Sequence, residues 1–313
     1  MLQHVKARPK RRWLQFGMRS LLIAMLLVGC GMGWLQHHVQ LAKREKEAVS
    51  QLLLLGAVPV YSCPIDETGR LAKEELAAPP WLRKWLGDEF FYHAHELTIH
   101  GGSPWRVAHR LPTVKPLSRT DEAGRIILID DRLAPLADLR HLRVLELRAT
   151  ELTDNGLVHI RNLTQLEQVN LASTHVTDDG LSHLARLDRL TELNLSSTNV
   201  HGSGLRHVSW DLEVLELTGS QVRPPGLRSL AKLNQLRVLG LANTRTDDDS
   251  LRHIAQLQAL EALNLSESRI TDAGIESLIK LQHLKSLDVS ETAITKAGGD
   301  QLRAKLPRAE IKD

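Results

Sequence analysis

The strongest constraint on this chain is a sequence unit that returns seven times between Leu142 and Leu306. Its consensus is L-x-x-L-x-L-x-x-T-x-V-T-D-x-G-L-x-x-L-x-x-L. Consecutive copies begin 24 residues apart, except that the fourth begins 22 residues after the third. Self-similarity at a fixed period of this length predicts a solenoid of stacked units. The copies begin at Leu142, Leu166, Leu190, Leu212, Leu236, Leu260 and Leu284.

Each unit has the pattern of one short strand followed by one helix. Side chains alternate along a strand, so L-x-x-L-x-L places its leucines on one side. T-D-x-G-L then opens a helix, because Thr or Asp caps the free N–H groups at a helix start. L-x-x-L-x-x-L gives that helix one apolar stripe. Neither element buries its stripe alone, so the units must stack and share a continuous core.

This pattern resembles the leucine-rich repeat family. The T-D-x-G-L variant resembles the ribonuclease-inhibitor-like and F-box-associated branch, and most of all a group of bacterial membrane-anchored repeat proteins. The resemblance covers just over half of the chain. It implies an α/β fold, a right-handed β-α horseshoe with strands on the concave face and helices outside. It also implies a protein-binding scaffold, which is analogy rather than a consequence of the fold.

The N-terminus predicts a single-pass membrane anchor. Residues 1–19 hold basic residues and no acidic one, and Leu21 to Leu35 is an uninterrupted apolar run. The positive-inside rule then leaves the N-terminus in the cytoplasm and the repeats on the extracytoplasmic side. Outside the tail, acidic residues slightly outnumber basic ones, which argues against nucleic-acid binding. The basic residues of the tail are Lys6, Arg8, Lys10, Arg11, Arg12 and Arg19.

Three other interpretations of the N-terminus remain open. A charged region followed by a short apolar run also describes a cleaved signal peptide. The run Leu27–Cys30 resembles a bacterial lipobox, which implies a lipid on Cys30. A soluble adaptor or enzyme inhibitor of the same fold is the remaining alternative. The apolar run continues past Cys30, and this favours the retained helix.

The pattern along the chain predicts six parts. Residues 43–125 are expected to cap the first repeat through a helix from Lys43 to Leu55, short strands near Val58 and Leu97, and an aromatic-rich helix at Trp81. Ile126 to Ile129 is expected to be the strand of a degenerate leading repeat. The parts are a basic tail (1–19), a transmembrane signal-anchor helix (20–38), a membrane-proximal helix and α+β cap (39–125), the leading repeat (126–141), seven repeats (142–306) and a C-terminal cap with an edge strand (307–313).

The face of the strands that points away from the core is the predicted partner-binding surface. Small polar and acidic side chains dominate it, and it has no cluster of aromatic or arginine residues of the kind that anchors tight interfaces. We therefore expect a protein partner that binds weakly or is basic. The candidate residues are Glu146, Arg148, Asn170, Asn194, Glu216, Thr218, Asn264 and Asp288.

The sequence shows no motif for catalysis, and we expect a non-catalytic protein without cofactor, metal or small-molecule substrate. It has no nucleophile elbow, Walker loop, H-E-x-x-H or C-x-x-C. Two groups of residues contain the histidine side chains that commonly bind metal. Stacking aligns the first into a ladder rather than converging it, and the second lacks a clear fourth ligand. The groups are His159, His183, His207 and His253 in the repeats, and His93, His95, Glu96 and His100 before them.

Overall fold

The computed structural model describes residues 18–54, 57–61, 94–99 and 130–313 of the chain. Within them, one sheet has ten strands in sequence order. The first two strands are antiparallel and all later neighbours are parallel. The predicted α/β solenoid is confirmed. The strands are β1 (Val58–Tyr61), β2 (Ala94–Thr98), β3 (Val144–Glu146), β4 (Gln168–Asn170), β5 (Glu192–Asn194), β6 (Val214–Glu216), β7 (Val238–Gly240), β8 (Ala262–Asn264), β9 (Ser286–Asp288) and β10 (Glu310–Lys312).

Equivalent leucines of successive units form one continuous core. In β3, Leu145 is fully buried between two partly exposed neighbours, and Leu147 follows it into the core. Leu145 pairs with Val169, and Val169 pairs with Leu193, so the buried positions align from unit to unit. The core continues without a break as far as Leu306. Stacking therefore buries the leucines that a single unit leaves exposed.

The helical layer is tighter than the sequence predicts, because much of it is 3₁₀-helix. Leucines spaced three residues apart match the three residues per turn of a 3₁₀-helix, in which side chains at i and i+3 eclipse. Only the last repeat has a helix of ten residues. The 3₁₀ segments are Asp130–Asp138, Gly180–Leu184, Ser203–His207, Arg228–Lys232 and Asp272–Gly274, and the α-helical ones are Asp154–Leu157, Pro224–Leu227, Asp248–Ile254, Ile275–Leu278 and Lys296–Lys305.

Each strand from β3 to β9 is followed by a residue in the left-handed backbone conformation, which the sequence pattern does not predict. Only one of the seven is a glycine, Gly219, with φ of 66°. The next residue is Thr or Ser, and in most copies its hydroxyl donates to the carbonyl three residues earlier, as Thr150 does to Leu147 at 2.7 Å. The consensus Thr therefore closes this turn. The other left-handed residues are Ala149, Ser173, Ser197, Asn243, Glu267 and Glu291.

The aspartate of T-D-x-G joins neighbouring units. Asp154 accepts hydrogen bonds from the backbone N–H of Thr177 at 2.8 Å and from its hydroxyl at 2.6 Å. Asp248 and Asp272 bond the next unit in the same way. The sequence predicts helix capping at T-D, and the threonine does cap, as Thr153 shows by accepting from the N–H of Asn155. The aspartate has the separate role of an inter-repeat bond.

The glycine of the same motif makes room for that aspartate. A Cβ on Gly180 would overlap Oδ1 of Asp154, and one on Gly298 would overlap Oδ1 of Asp272. Two junctions lack the motif. His201-Gly202 and Arg223-Pro224 have no aspartate at the bonding position, and the backbone N–H of Arg223 instead donates to the carbonyl of His201 at 3.1 Å.

The strand beside the first full repeat is β2. Leu97 of β2 pairs with Leu145, and Ala94, Leu97 and Ile99 are fully buried like the leucines of L-x-x-L-x-L. The expected strand at 126–129 lies outside the described residues, and the neighbours of β3 are β2 and β4. The sequence predicts a strand near Leu97 but not its place beside the first full repeat, because more than thirty residues separate it from the helical segment 130–138.

Helix α1 (Met18–Leu53) covers the N-terminal end of the core. Its C-terminal part packs on the 130–138 segment, and Ala48 and Leu52 on that side of the helix are buried. Glu45 is only 7% exposed, and its Oε1 accepts a hydrogen bond of 2.9 Å from the N–H of Ala94 at the start of β2. This helix therefore serves as a cap. The predicted aromatic cap around Trp81 lies outside the described residues.

The membrane prediction falls mainly on the first part of α1. The basic tail 1–17 and the side chains of residues 18–29 lie outside the described set. Within the described part of the chain, no helix is both long and apolar enough to cross a membrane. At the other end, β10 pairs in parallel with β9 where the sequence predicts an edge strand.

Candidate functional site

The face of β3–β10 that points away from the core, here called the open sheet face, carries all eight predicted residues. The last residue of each strand is in register with the last residue of the next, so these side chains form one continuous row. Arg148 and Thr218 lie two residues further along their strands' direction, on the same face. The row is Glu146, Asn170, Asn194, Glu216, Gly240, Asn264, Asp288 and Lys312.

Four of the predicted residues accept a hydrogen bond from a nearby backbone N–H, so one of their side-chain oxygens is already bonded. Asn170 Oδ1 accepts a hydrogen bond of 3.0 Å from the N–H of Ala172, two residues on. Asn194, Asn264 and Asp288 make the equivalent bond at 2.9 to 3.0 Å. Short polar side chains form such local turns readily. Their recurrence is therefore explained by the fold, although their outer atoms still lie on this face.

One column of side chains on this face is not predicted from the sequence. The first residue of each strand also points away from the core, and in the middle repeats it is apolar and partly exposed. Val214, Val238 and Ala262 lie side by side in the register of β6, β7 and β8. The signal was present, since these positions alternate with the buried leucine. The predicted residues all follow the buried leucine of each strand, whereas these apolar residues precede it.

Charged residues just before the strands pair with one another across repeats. Glu261 bridges two cations, with 2.7 Å to Nη2 of Arg237 and 2.5 Å to Nζ of Lys285. The hydrogen bonds from Lys285 and Arg237 lower the pKa of Glu261. Nearby in the row, Lys312 lies 3.0 Å from Asp288. Partial burial acts to raise the pKa of Asp288, but hydrogen bonds from Ser290 and Lys312 leave it lowered.

Glu216 differs from these carboxylates. Partial burial raises its pKa, and the hydrogen bond from the Thr218 side chain offsets this only in part. In the described residues it forms no salt bridge. Its carboxylate lies across Gly240 of the next strand, because a Cβ on Gly240 would overlap Oε2 and lie 2.7 Å from Cδ. The site therefore has one poorly solvated carboxylate near its centre.

The repeat histidines His159, His183, His207 and His253 form no metal site in the part of the chain described. No group of three or more His, Cys, Asp or Glu side chains there converges on one point. His207 accepts a hydrogen bond of 3.0 Å from Arg206. The run Asp247–Asp249 is divided among three tasks: a capping box with Ser250, an inter-repeat bond to Thr271, and a pair with Arg252 at 3.2 Å. His93 and His100, and the side chains of His95 and Glu96, lie outside the described residues.

Comparison with known proteins gives the family of these repeats. The sequence model of the leucine-rich repeat matches residues 162–185, 256–278 and 280–302. No curated protein matches the chain. Each matched segment begins near the end of one repeat and runs through the strand into the helical segment of the next, and it carries the same leucines that fill the core.

Three solved structures are similar in part. A leucine-rich repeat protein of Leptospira interrogans is 21% identical with a TM-score of 0.47, and the match covers 57% of this chain and 45% of that one. An internalin (inlF) of Listeria monocytogenes is 22% identical with a TM-score of 0.47, over 58% of this chain and 56% of that one. Internalin C2 of the same organism is 22% identical with a TM-score of 0.43, over 61% and 76%.

The matched part of this chain thus spans about half the length of the first two structures. The family match and the geometry of the repeats agree with each other. Each unit between Leu142 and Leu306 pairs a short parallel strand with a helical segment behind it, and buries the consensus leucines. The segments 162–185, 256–278 and 280–302 are therefore leucine-rich repeats in sequence and in structure.

Proposed function

We propose that this chain is a non-catalytic, membrane-anchored scaffold that binds a protein partner on the open sheet face. The observation that carries the proposal is the continuous row of side chains across β3–β10, which offers a long surface in a fixed register. Repeat proteins use such extended surfaces for binding, because stacking extends the surface without new loops.

The charge of this face favours a basic partner. Carboxylates outnumber cations on it, and several have no salt bridge within the described residues. Complementary charge of this kind steers encounter and selects partners more than it adds affinity. The carboxylates without a salt bridge include Glu146, Glu192 and Glu216 on the face, and Glu267 and Glu291 in the turns that follow β8 and β9.

Proximity labelling, with the labelling enzyme fused to this chain in the cells that produce it, identifies the proteins that lie near it. Reversing Glu146 and Glu216 together to lysine is expected to remove a basic protein from the labelled set. The matched control reverses two exposed carboxylates away from this face, Asp188 and Glu276, and is expected to leave the set unchanged. Identical labelled sets for both double variants would refute binding on the open sheet face.

Anchoring in the membrane is supported by the composition and exposure of α1. The run Leu21–Leu35 is apolar and follows the basic tail. Met32 is 67% exposed and Trp34 is 61% exposed, whereas from Ala42 onward one side of the same helix is buried in the cap. Exposed tryptophan is typical of the membrane interface. The helix would then join anchor and cap directly, with the repeats on the extracytoplasmic side.

Membrane attachment and its chemistry are tested separately. Carbonate extraction should leave the anchored chain in the membrane fraction, whereas a soluble adaptor or inhibitor would be released. The mass of the extracted protein then identifies the form. A mass that begins at Cys30 and includes acyl chains would replace the transmembrane helix with a lipid anchor, and a smaller mass without lipid would indicate a cleaved signal peptide.

A further inference from the structure

The row of side chains on the open sheet face lacks one member in the middle, because the row residue of β7 is Gly240; the space that this leaves between β6 and β8 is called the depression here. Its floor is Gly240, which is buried and has no side chain, and Ala242 beyond it is 5% exposed. Val214, Val238 and Ala262 form a partly exposed apolar edge on one side. Elsewhere in the row the equivalent of Gly240 is a polar or charged residue. The depression is therefore a local feature of three repeats.

The carboxylate of Glu216 occupies this depression. Its Oε2 lies where the Cβ of any residue other than glycine would be, so the side chain rests on the backbone of β7. Burial beside apolar groups removes part of its hydration, and desolvation of a charge is unfavourable unless an opposite charge compensates it. The other partly buried acid of the row, Asp288, has Lys312 for this purpose. Glu216 has no cation at salt-bridge distance among the described residues.

We propose that Glu216 binds a lysine or arginine side chain of the partner protein, and that the partner's adjacent aliphatic side chain packs on Val214, Val238 and Ala262. This inference rests on the proposed function and names the residue chemistry that the open sheet face selects. The cation restores the electrostatic stabilisation that burial withdraws from the carboxylate. The apolar edge accepts this aliphatic side chain together with the methylene groups of the lysine or arginine, which commonly lie along apolar surface.

The variant Glu216→Gln separates binding from stability. It keeps the shape of the side chain and removes the charge, so a lysine-containing ligand should bind about 10- to 30-fold more weakly, the loss expected for a central interface residue. The variant should nevertheless be at least as stable as the wild type at neutral pH, because it removes a poorly solvated charge. Weaker binding therefore cannot be ascribed to loss of fold.

Gly240→Ala tests the geometry without removing any polar group. The new Cβ would overlap the carboxylate and force the Glu216 side chain away from β7, so binding should weaken although the charge remains. Glu291→Gln is the control, because Glu291 is an exposed carboxylate at the end of the face and contributes nothing to the depression.

The probe is a phage-displayed library of random heptapeptides, selected on the full-length chain. Wild type and Glu291→Gln should enrich peptides with a lysine or arginine next to an aliphatic residue, and Glu216→Gln should lose that enrichment. The best peptide is then synthesised in two versions, one with lysine and one with norleucine in its place. In fluorescence polarisation, the lysine version should bind the wild type about 10- to 30-fold more tightly than the norleucine version.

The two proposals fail in distinguishable ways. One outcome is that the selected peptides compete with one another, fail to bind Glu146→Lys and still show the preference for lysine or arginine on Glu216→Gln. That result would support the scaffold proposal and refute the role of Glu216. Enrichment without any basic preference would do the same. If the wild type enriches no peptide at all, the result refutes both the proposal that the open sheet face binds peptides and the proposed role of Glu216.

Discussion

The bond between Asp154 and Thr177 offers a direct test of how the repeats are joined. Asp154→Ala removes two hydrogen bonds from a partly buried carboxylate, at 2.8 Å to the N–H and 2.6 Å to the hydroxyl of Thr177. Bonds to a charged group contribute about 1.5 kcal/mol each or somewhat more. We therefore expect a loss of about 2–3 kcal/mol in the free energy of unfolding. For a domain of this size, that lowers the Tm by about 5–10 °C.

Gly180→Ala should be destabilising for a reason that depends on Asp154. The added Cβ would overlap Oδ1 of Asp154 and lie 2.8 Å from its Cγ and 3.0 Å from Cδ1 of Leu157. Overpacking of this kind costs about 1–3 kcal/mol. In the background of Asp154→Ala most of that overlap is gone. The double variant should consequently be more stable than the two single losses predict, by about 1–2 kcal/mol.

The measurement is urea unfolding of wild type, both single variants and the double variant, followed by far-UV circular dichroism. Asp179→Ala is the matched control, because that neighbouring carboxylate is exposed and makes no capping bond, and it should change stability by less than about 0.5 kcal/mol. Additive losses in the double variant, within about 0.5 kcal/mol, would refute the idea that the glycine exists to accommodate the aspartate.

Three further outcomes are expected from thermal unfolding. Glu216→Gln should raise the Tm at pH 7, and this gain should disappear as the pH falls. The pKa of Glu216 is raised in the folded state, so the folded state is favoured while the carboxyl is protonated and loses this contribution as the pH rises through the folded pKa. A gain in Tm that is equal at all pH values would contradict this prediction. Ser268→Thr should raise the Tm by about 2–4 °C, because Ser268 Oγ is buried and has no hydrogen-bond partner among the described residues, whereas threonine in this position of other repeats bonds the carbonyl three residues earlier. Thr244→Ser is the control and should not raise the Tm. Ala149→Gly should stabilise by about 1 kcal/mol by relieving a left-handed φ of 55°, whereas Ala172→Gly, outside that conformation, should destabilise; equal effects of the two changes would refute the strain.

The candidate site was predictable in position but not in chemistry. Strand alternation places Glu146 and Glu216 on the open sheet face, and the structure has them there. That Asn170 holds the N–H of Ala172, and that Glu216 lies over Gly240, depends on side-chain conformations and on a neighbouring strand. Two glutamates of the same type at equivalent positions therefore have different surroundings, and no pattern within one repeat distinguishes them.

The sequence by itself determined the repeat and its core, because the leucines that must be buried recur at spacings that a strand and a short helix impose locally. Only the tertiary structure decided what joins the units. Asp154 bonds a residue 23 positions later, β2 pairs with β3 across a long intervening segment, and Glu45 bonds Ala94, 49 positions later. These contacts are set by which backbone atoms lie side by side after stacking, and that proximity is absent from any single stretch of the chain.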